Sequence, residues 1–230
     1  ISSNEPELGI AINKGQLDIL EGINKSWDRK MEAGSVFKYD LSEVRRERLG
    51  RLRKMFNPRR IGKRQAQMDT STSLYQRFNP DKFHFNKVRD VEVIAQGVNL
   101  AGVNTDIIIN VNPFLRGHIL ITPERAKEHN QYFVPQAATV ALEILRRVSR
   151  RSYKVAYNSV GAFASINHLH LQALDYPEEK MPVEEEDKEL LFETNGVSVW
   201  TLPNWFVKTI VLTSDNAQAL QTQLLKLTLI

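Results

Sequence analysis

Cysteine is missing from all 230 residues, and its absence excludes disulfides, thiolate metal sites and a cysteine nucleophile together. A reducing compartment agrees with that lack. Long apolar runs are missing as well: none approaches the ~18 residues that a bilayer span requires, so no membrane anchor is expected. The first residues, Ile1 to Leu8, lack the basic-then-apolar order of a secretory signal, and a start on Ile1 rather than methionine is what a trimmed chain would show. What is present is ordinary for a globular protein, with 42% hydrophobic and 25% charged residues, and wholesale disorder is excluded. A chain of this length buries a continuous core without staples. With thiol chemistry gone, function is expected to rest on the five histidines.

The net charge of +4 conceals two opposed blocks. Glu43 to Arg64 holds ten basic residues, among them Arg59, Arg60, Lys63 and Arg64, against Glu43 and Glu47; Asp175 to Glu193 holds nine acidic residues against Lys180 and Lys188. The first reads as a solvated basic segment that attracts phosphates or acidic partners, the second as a solvated loop. Ahead of them, Leu17, Leu20, Ile23, Trp27 and Met31 recur at three- and four-residue steps and predict a helix docked on the core through Trp27. Two Asn-Pro steps among serines and threonines make Asn57 to Asp81 a loop or extended arm.

From Lys82 the pattern becomes that of a sheet. Phe83 and Phe85 alternate with polar residues, and Val91 with Val93 and Ile94 continues the apolar signal. Asp106 to Val111 and His118 to Thr122 predict antiparallel neighbours joined by the turn Asn112 to Gly117. Pro135 opens a helix carrying Val140, Ala141, Ile144, Leu145 and Val148, with Arg146, Arg147 and Arg150 near its C-terminal end. Val155 to Asn158 and His168 to Tyr176 predict two more strands, and Val197 to Leu202 with Phe206 to Thr213 a last pair. Ala217, Leu220, Leu224 and Leu227 mark a final helix. The fold class is α+β, an antiparallel sheet with a helix packed on one face.

The segment His168-Leu169-His170-Leu171-Gln172 carries the chemistry. Side chains alternate along a strand, so His168, His170 and Gln172 share one face while Leu169, Leu171 and Ala173 enter the core. The small-residue stretch Asn158 to Asn167 precedes it, where backbone N–H groups can approach an anion and Ser165 and Asn167 add donors. Three chemistries compete at this point. A metal site would need more ligands than the motif offers; buried structural histidines would need core partners; a neutral imidazole would serve as nucleophile at phosphorus.

Gly117 to Pro123, followed fifty residues after His118 by His168-Leu169-His170-Leu171-Gln172, resembles the histidine-triad superfamily. Glutamine at the third position resembles its transferase and phosphorylase branch. Phe78 to Val88, Asn110-Val111-Asn112-Pro113 and Tyr157 to His170 resemble the GDP-hexose phosphorylases in particular, over a stretch from about Arg59 to Thr213.

That resemblance implies a histidine-triad-like catalytic domain over 76–213, preceded by a helix and basic arm over 1–75 and followed by a helix over 214–230. It implies phosphorolysis of a GDP-hexose, GDP-glucose foremost, with inorganic phosphate as second substrate, a guanylyl-histidine intermediate and no cofactor or metal. His170 would be the nucleophile, His168 would orient it through its backbone carbonyl, and Gln172 would donate to a non-bridging oxygen. Ser165, Asn167 and the backbone at Gly161 would hold phosphates, with Asn158 bracing their loop. Asn110 would lie at the ribose, and His118 would support the site. His84 and His129 are expected to be surface or structural. A cytoplasmic enzyme is implied, without membrane or nucleic-acid partners, and a homodimer is left open. Relatives of this branch continue into a second, degenerate half, whereas only 58 residues follow Gln172, so groups that bind the hexose or close the pocket are expected outside this stretch. Two alternatives stand beside this reading: another histidine-triad nucleotidyltransferase or dinucleotide phosphorylase, and a catalytically silent nucleotide- or RNA-binding module using the Glu43 to Arg64 block.

Overall fold

The computed structural model describes residues 5–15, 18–61, 75–178 and 180–228; Leu17 of the predicted helix and Lys63 and Arg64 of the basic block lie outside them. The centre is a five-stranded antiparallel sheet in the order β3-β4-β5-β7-β6, comprising β3 (Val93–Leu100), β4 (Val103–Ile109), β5 (Ile119–Pro123), β6 (Tyr153–Ala156) and β7 (Leu171–Asp175). Alternation makes this sheet two-sided. Ile107, Ile109, Ile119, Ile121, Leu171 and Ala173 point to one face and are buried there with Ile23 and Trp27 of α2 (Ile19–Glu32) and Ala137, Val140 and Ile144 of α3 (Pro135–Val148). Each such isoleucine, leucine or valine contributes roughly 1.5–3 kcal/mol on burial. A further helix, α1 (Glu5–Asn13), adds Ile12 to the same core.

Local signals set the helix ends. Asp18 caps α2 by accepting from the Glu21 amide at 2.9 Å, and Pro135 occupies the first turn of α3, where its missing N–H costs nothing. Gly117 turns the chain into β5 with φ +73, a left-handed conformation that favours glycine.

The charged blocks form structure rather than solvated loops. Arg45 to Phe56 folds into a hairpin of β1 (Arg45–Leu49) and β2 (Leu52–Phe56). Part of the acidic block becomes β8 (Glu189–Thr194), the edge of a three-stranded sheet with β9 (Val197–Thr201) and β10 (Ile210–Thr213). The rest faces the hairpin: Arg51 Nη1 lies 2.8 Å from Glu186, and Arg53 lies 3.0 Å from Glu178 and 3.5 Å from Glu185. Opposite charge brought the two blocks together. Phe83 to Glu92 also departs from the strand signal, forming the short 3₁₀ turns Phe85–Lys87 and Asp90–Glu92 ahead of β3. The last helix, α4 (Ala217–Thr228), joins the small sheet to α3, with Gln221 donating to Thr139 at 2.7 Å.

Candidate active site

The face of the large sheet opposite the helices carries the predicted residues. Regular strand pairing begins at Leu171 rather than His168, with Gln172 opposite both Leu120 and Ala156. The extended approach keeps the alternation all the same: Leu169 is buried with Leu171 and Ala173 in the core. His168 and His170 stand out of step with them, and each is fixed differently.

His170 Nδ1 lies 2.8 Å from the carbonyl oxygen of His168. A carbonyl only accepts, so Nδ1 carries the proton and Nε2 keeps its lone pair. The ring is 7% exposed, stands edge-on to Phe85 at 4.9 Å between centroids, and its Nε2 makes no hydrogen bond among the described residues. Burial pushes its pKa down to about 4, against the His168 carbonyl, which favours the charged ring. The imidazole is therefore neutral at pH 7.

His168 has both ring nitrogens spent. Nδ1 accepts from the Phe85 amide at 3.0 Å, and Nε2 donates to the Arg125 carbonyl at 3.0 Å. The ring is fully buried and its pKa, lowered mainly by burial, is about 4. Arg125 is itself anchored, with Nε 2.6 Å from Asp106 and Nη1 donating to the Phe85 carbonyl at 3.1 Å.

His118 follows the same logic. Nδ1 accepts from the Phe114 amide at 3.1 Å, so Nε2 bears the proton and donates to Gln172 Oε1 at 3.0 Å. Burial lowers its pKa to about 4, with the Arg60 charge acting in the same direction. The bond fixes the Gln172 carboxamide: its nitrogen donates one hydrogen to Asn158 Oδ1 at 3.2 Å, leaving the second for a ligand. Asn110 sits beside His118, its Nδ2 3.1 Å from Nε2 and its Oδ1 accepting from the Asn112 amide at 3.0 Å. Of these three imidazoles, only His170 presents a free basic nitrogen.

The loop residues divide. Asn158 ties the loop, donating to the Ala162 carbonyl at 3.1 Å. Gly161 lies exposed in the 3₁₀ turn Val160–Ala162, and Ser165 is exposed too. Asn167 departs from its expected part as a phosphate donor. Its amide is spent on Gln76 and Asn130 at 2.9 and 3.1 Å, and its oxygen accepts from the Gln131 amide at 2.9 Å. His84 takes the structural alternative, buried near Phe78 and His168, with Nδ1 unpaired among the described residues. His129 pairs with Glu124 at 3.0 Å.

A cavity of about 930 Å³ is lined by His118 and Gln172, by Phe114, Lys154 and Tyr176, and by Met55 of the hairpin. That volume suits a nucleotide-sized ligand. His170 does not line it but lies two residues from Gln172 on the same face. Among the described residues, no group of three His, Cys, Asp or Glu is arranged to hold a metal, and no helix is long and apolar enough to cross a membrane.

Two contributors escaped the sequence reading. Arg60, taken as part of a solvated segment, sits 4.3 Å over the Phe114 ring, whose other neighbour is the stacked His118 imidazole at 5.1 Å. Gln131, a lone glutamine in a loop, is completely buried at the back of His170. Nothing local marks it; only the sheet brings it there.

A family model described as "GDPGP1-like, N-terminal domain" matches residues 19–174. GDP-D-glucose phosphorylase 1 of Homo sapiens is 32% identical over 199 residues, which cover 82% of this chain and 50% of the relative. GDP-L-galactose phosphorylase 2 of Arabidopsis thaliana is 28% identical over 213 residues, 83% of this chain and 49% of the relative. The chain thus spans about half the length of the curated relatives it matches. Among solved structures, yeast Ap4A phosphorylase Apa2 in complex with Ap4A is similar in fold, with a TM-score of 0.52 at 16% identity over 81% of this chain and 66% of that one.

Proposed function

The chain belongs to the GDPGP1-like family, and from that premise we propose that it is the catalytic part of a GDP-hexose phosphorylase acting on GDP-glucose in the cytoplasm. His170 Nε2 attacks the α-phosphorus, a P–N bond forms, and the bond to the bridging oxygen breaks, releasing hexose 1-phosphate. Inorganic phosphate then attacks the same phosphorus, the P–N bond breaks, and GDP leaves. Splitting one displacement into two lowers the barrier that either acceptor faces. The positive charge that develops on the ring is met by the His168 carbonyl at Nδ1, while the spare hydrogen of Gln172 meets charge on a non-bridging oxygen. Gln172 has no titratable proton to lend to water, which suits phosphate as the second acceptor.

Arg60, held over the Phe114 ring, lines the approach and supplies a cation to the nucleotide. Ser165 and the Gly161 backbone hold its phosphates, Asn158 holds their loop, and Asn110 reaches the ribose through the edge it shares with His118. The observation that carries this reading is the free lone pair at His170, set beside two histidines whose nitrogens are all engaged. An RNA-binding role for the basic block loses support from its pairing with the acidic segment.

The test is phosphate-dependent release of GDP by the full chain from a panel of GDP-glucose, GDP-mannose, UDP-glucose and diadenosine tetraphosphate. GDP and hexose 1-phosphate in equal amounts from GDP-glucose, and only with phosphate present, are expected. Turnover confined to the dinucleotide, or release independent of phosphate, contradicts the reading.

A further inference from the structure

Pairing between β6 and β7 runs from Tyr153 opposite Asp175 to Ala156 opposite Gln172 and then stops. Continued by two residues, it would set Asn158 against His170, peptide to peptide. The side chain of Gln131 lies between them instead. Its Nε2 donates to the Asn158 carbonyl at 2.9 Å and to the His170 carbonyl at 3.0 Å, and its Oε1 accepts from the His170 amide at 2.8 Å. Every hydrogen-bonding hydrogen of the carboxamide is used, in a site with no exposure to water. The main chain of Gln131 is held from both ends of the Asn158 to Asn167 loop, its amide by Asn167 at 2.9 Å and its carbonyl by the Tyr157 hydroxyl at 2.8 Å.

We infer that Gln131 is a positioning residue whose carboxamide replaces a strand's peptide group beside His170, wedging the sheet open there while locking the nucleophile to the loop. A carboxamide is the one side-chain group that offers two donors and an acceptor in the plane of a peptide. Direct pairing of the strands would close the sheet over His170. The wedge lets the chain leave β6 as a loop without leaving the His170 backbone unpaired, which would cost the full desolvation of buried polar groups. It also fixes the His168–His170 peptide segment, on which the ring's single anchor depends. The inference rests on the reading of His170 as nucleophile.

Gln131→Met keeps the volume and removes the three bonds, and Gln131→Glu keeps the acceptor and, when protonated, one donor. With GDP-glucose and phosphate, Gln131→Met is expected to lose about 100-fold in kcat, since small misplacements of a reacting group cost that much, with KM changed by less than about threefold. Gln131→Glu should recover activity as the pH is lowered and lose it as the pH is raised, a profile absent from the wild type. Hydrogen exchange at the His170 amide, measured without substrate, should be strongly protected in the wild type and fast in Gln131→Met. A kcat within about twofold of wild type in folded Gln131→Met, a loss confined to KM, or unchanged exchange at His170 overturns the inference. Absence of turnover in the wild type would remove the proposed reaction alone, because the exchange measurement still decides whether Gln131 holds His170.

Discussion

The face around His170 and the hairpin that helps line the neighbouring cavity are held by opposite kinds of force. Around His170 the binding groups are neutral and largely buried: three imidazoles, three carboxamides and backbone carbonyls joined at 2.8–3.2 Å. The hairpin is held by ion pairs, Arg51 to Glu186 at 2.8 Å and Arg53 to Glu178 at 3.0 Å, between partly exposed side chains. A buried neutral network is costly to leave half made, so it fixes one geometry. Exposed ion pairs are screened by salt and contribute little each. The molecule thus spends rigidity where a bond is to be formed and leaves looser attachments where a ligand must pass.

Replacing His170 breaks this contrast most severely. His170→Ala is expected to lower turnover about 10⁴-fold or more, because the nitrogens of His118 and His168 beside it are engaged. Its stability should fall by about 1 kcal/mol, since the ring's single hydrogen bond, to the buried His168 carbonyl, is lost. His168→Ala should do the reverse in part, costing on the order of 2 kcal/mol in stability by stranding the Phe85 amide and the Arg125 carbonyl. Steady-state kinetics beside urea unfolding of the two variants checks both outcomes.

Acid provides the next largest effect. His118, His168 and His170 have pKa values lowered from 6.5 to about 4 in the folded chain. Above pH 6.5 both folded and unfolded states hold them neutral. Between 6.5 and 4 the unfolded chain takes up protons that the folded chain refuses, so stability is lost as the pH falls through this window, by on the order of 3 kcal/mol for each histidine. Urea midpoints measured from pH 7.5 to pH 4 should fall steadily, and a flat profile contradicts the neutral network.

The smallest effect belongs to the hairpin. Arg53→Ala is expected to cost at most about 1 kcal/mol, and less in high salt. Its kcat should stay near wild type while KM rises as the hairpin that carries Met55 to the cavity wall loosens. Kinetics at low and high ionic strength separate this outcome from a change in kcat, which would place the hairpin in the chemistry instead.

The parts of the fold legible in sequence were those with a clean period. Leu169, Leu171 and Ala173 against His168, His170 and Gln172 needed only alternation, and α2 and α3 only their apolar stripes and the proline at position 135. Strand β8 stayed hidden because Leu190, Leu191 and Phe192 are consecutive and all exposed, among carboxylates that suggested a loop. The hairpin was masked in the same way by its arginines, although Gly50, with φ +58, sits between Leu49 and Leu52 as a turn residue would. Arg60 and Gln131 were out of reach for another reason. Their roles come from contacts across 54 and 39 positions of sequence, to Phe114 and His170, and no local pattern records such contacts.

The most direct measurement is the mass of the intact protein after incubation with GDP-glucose in the absence of phosphate. A gain of one guanylyl group is predicted, acid-labile, located at residue 170, absent from His170→Ala and discharged as GDP when phosphate is added. An unmodified wild-type chain that nonetheless turns over GDP-glucose would contradict nucleophilic catalysis by His170.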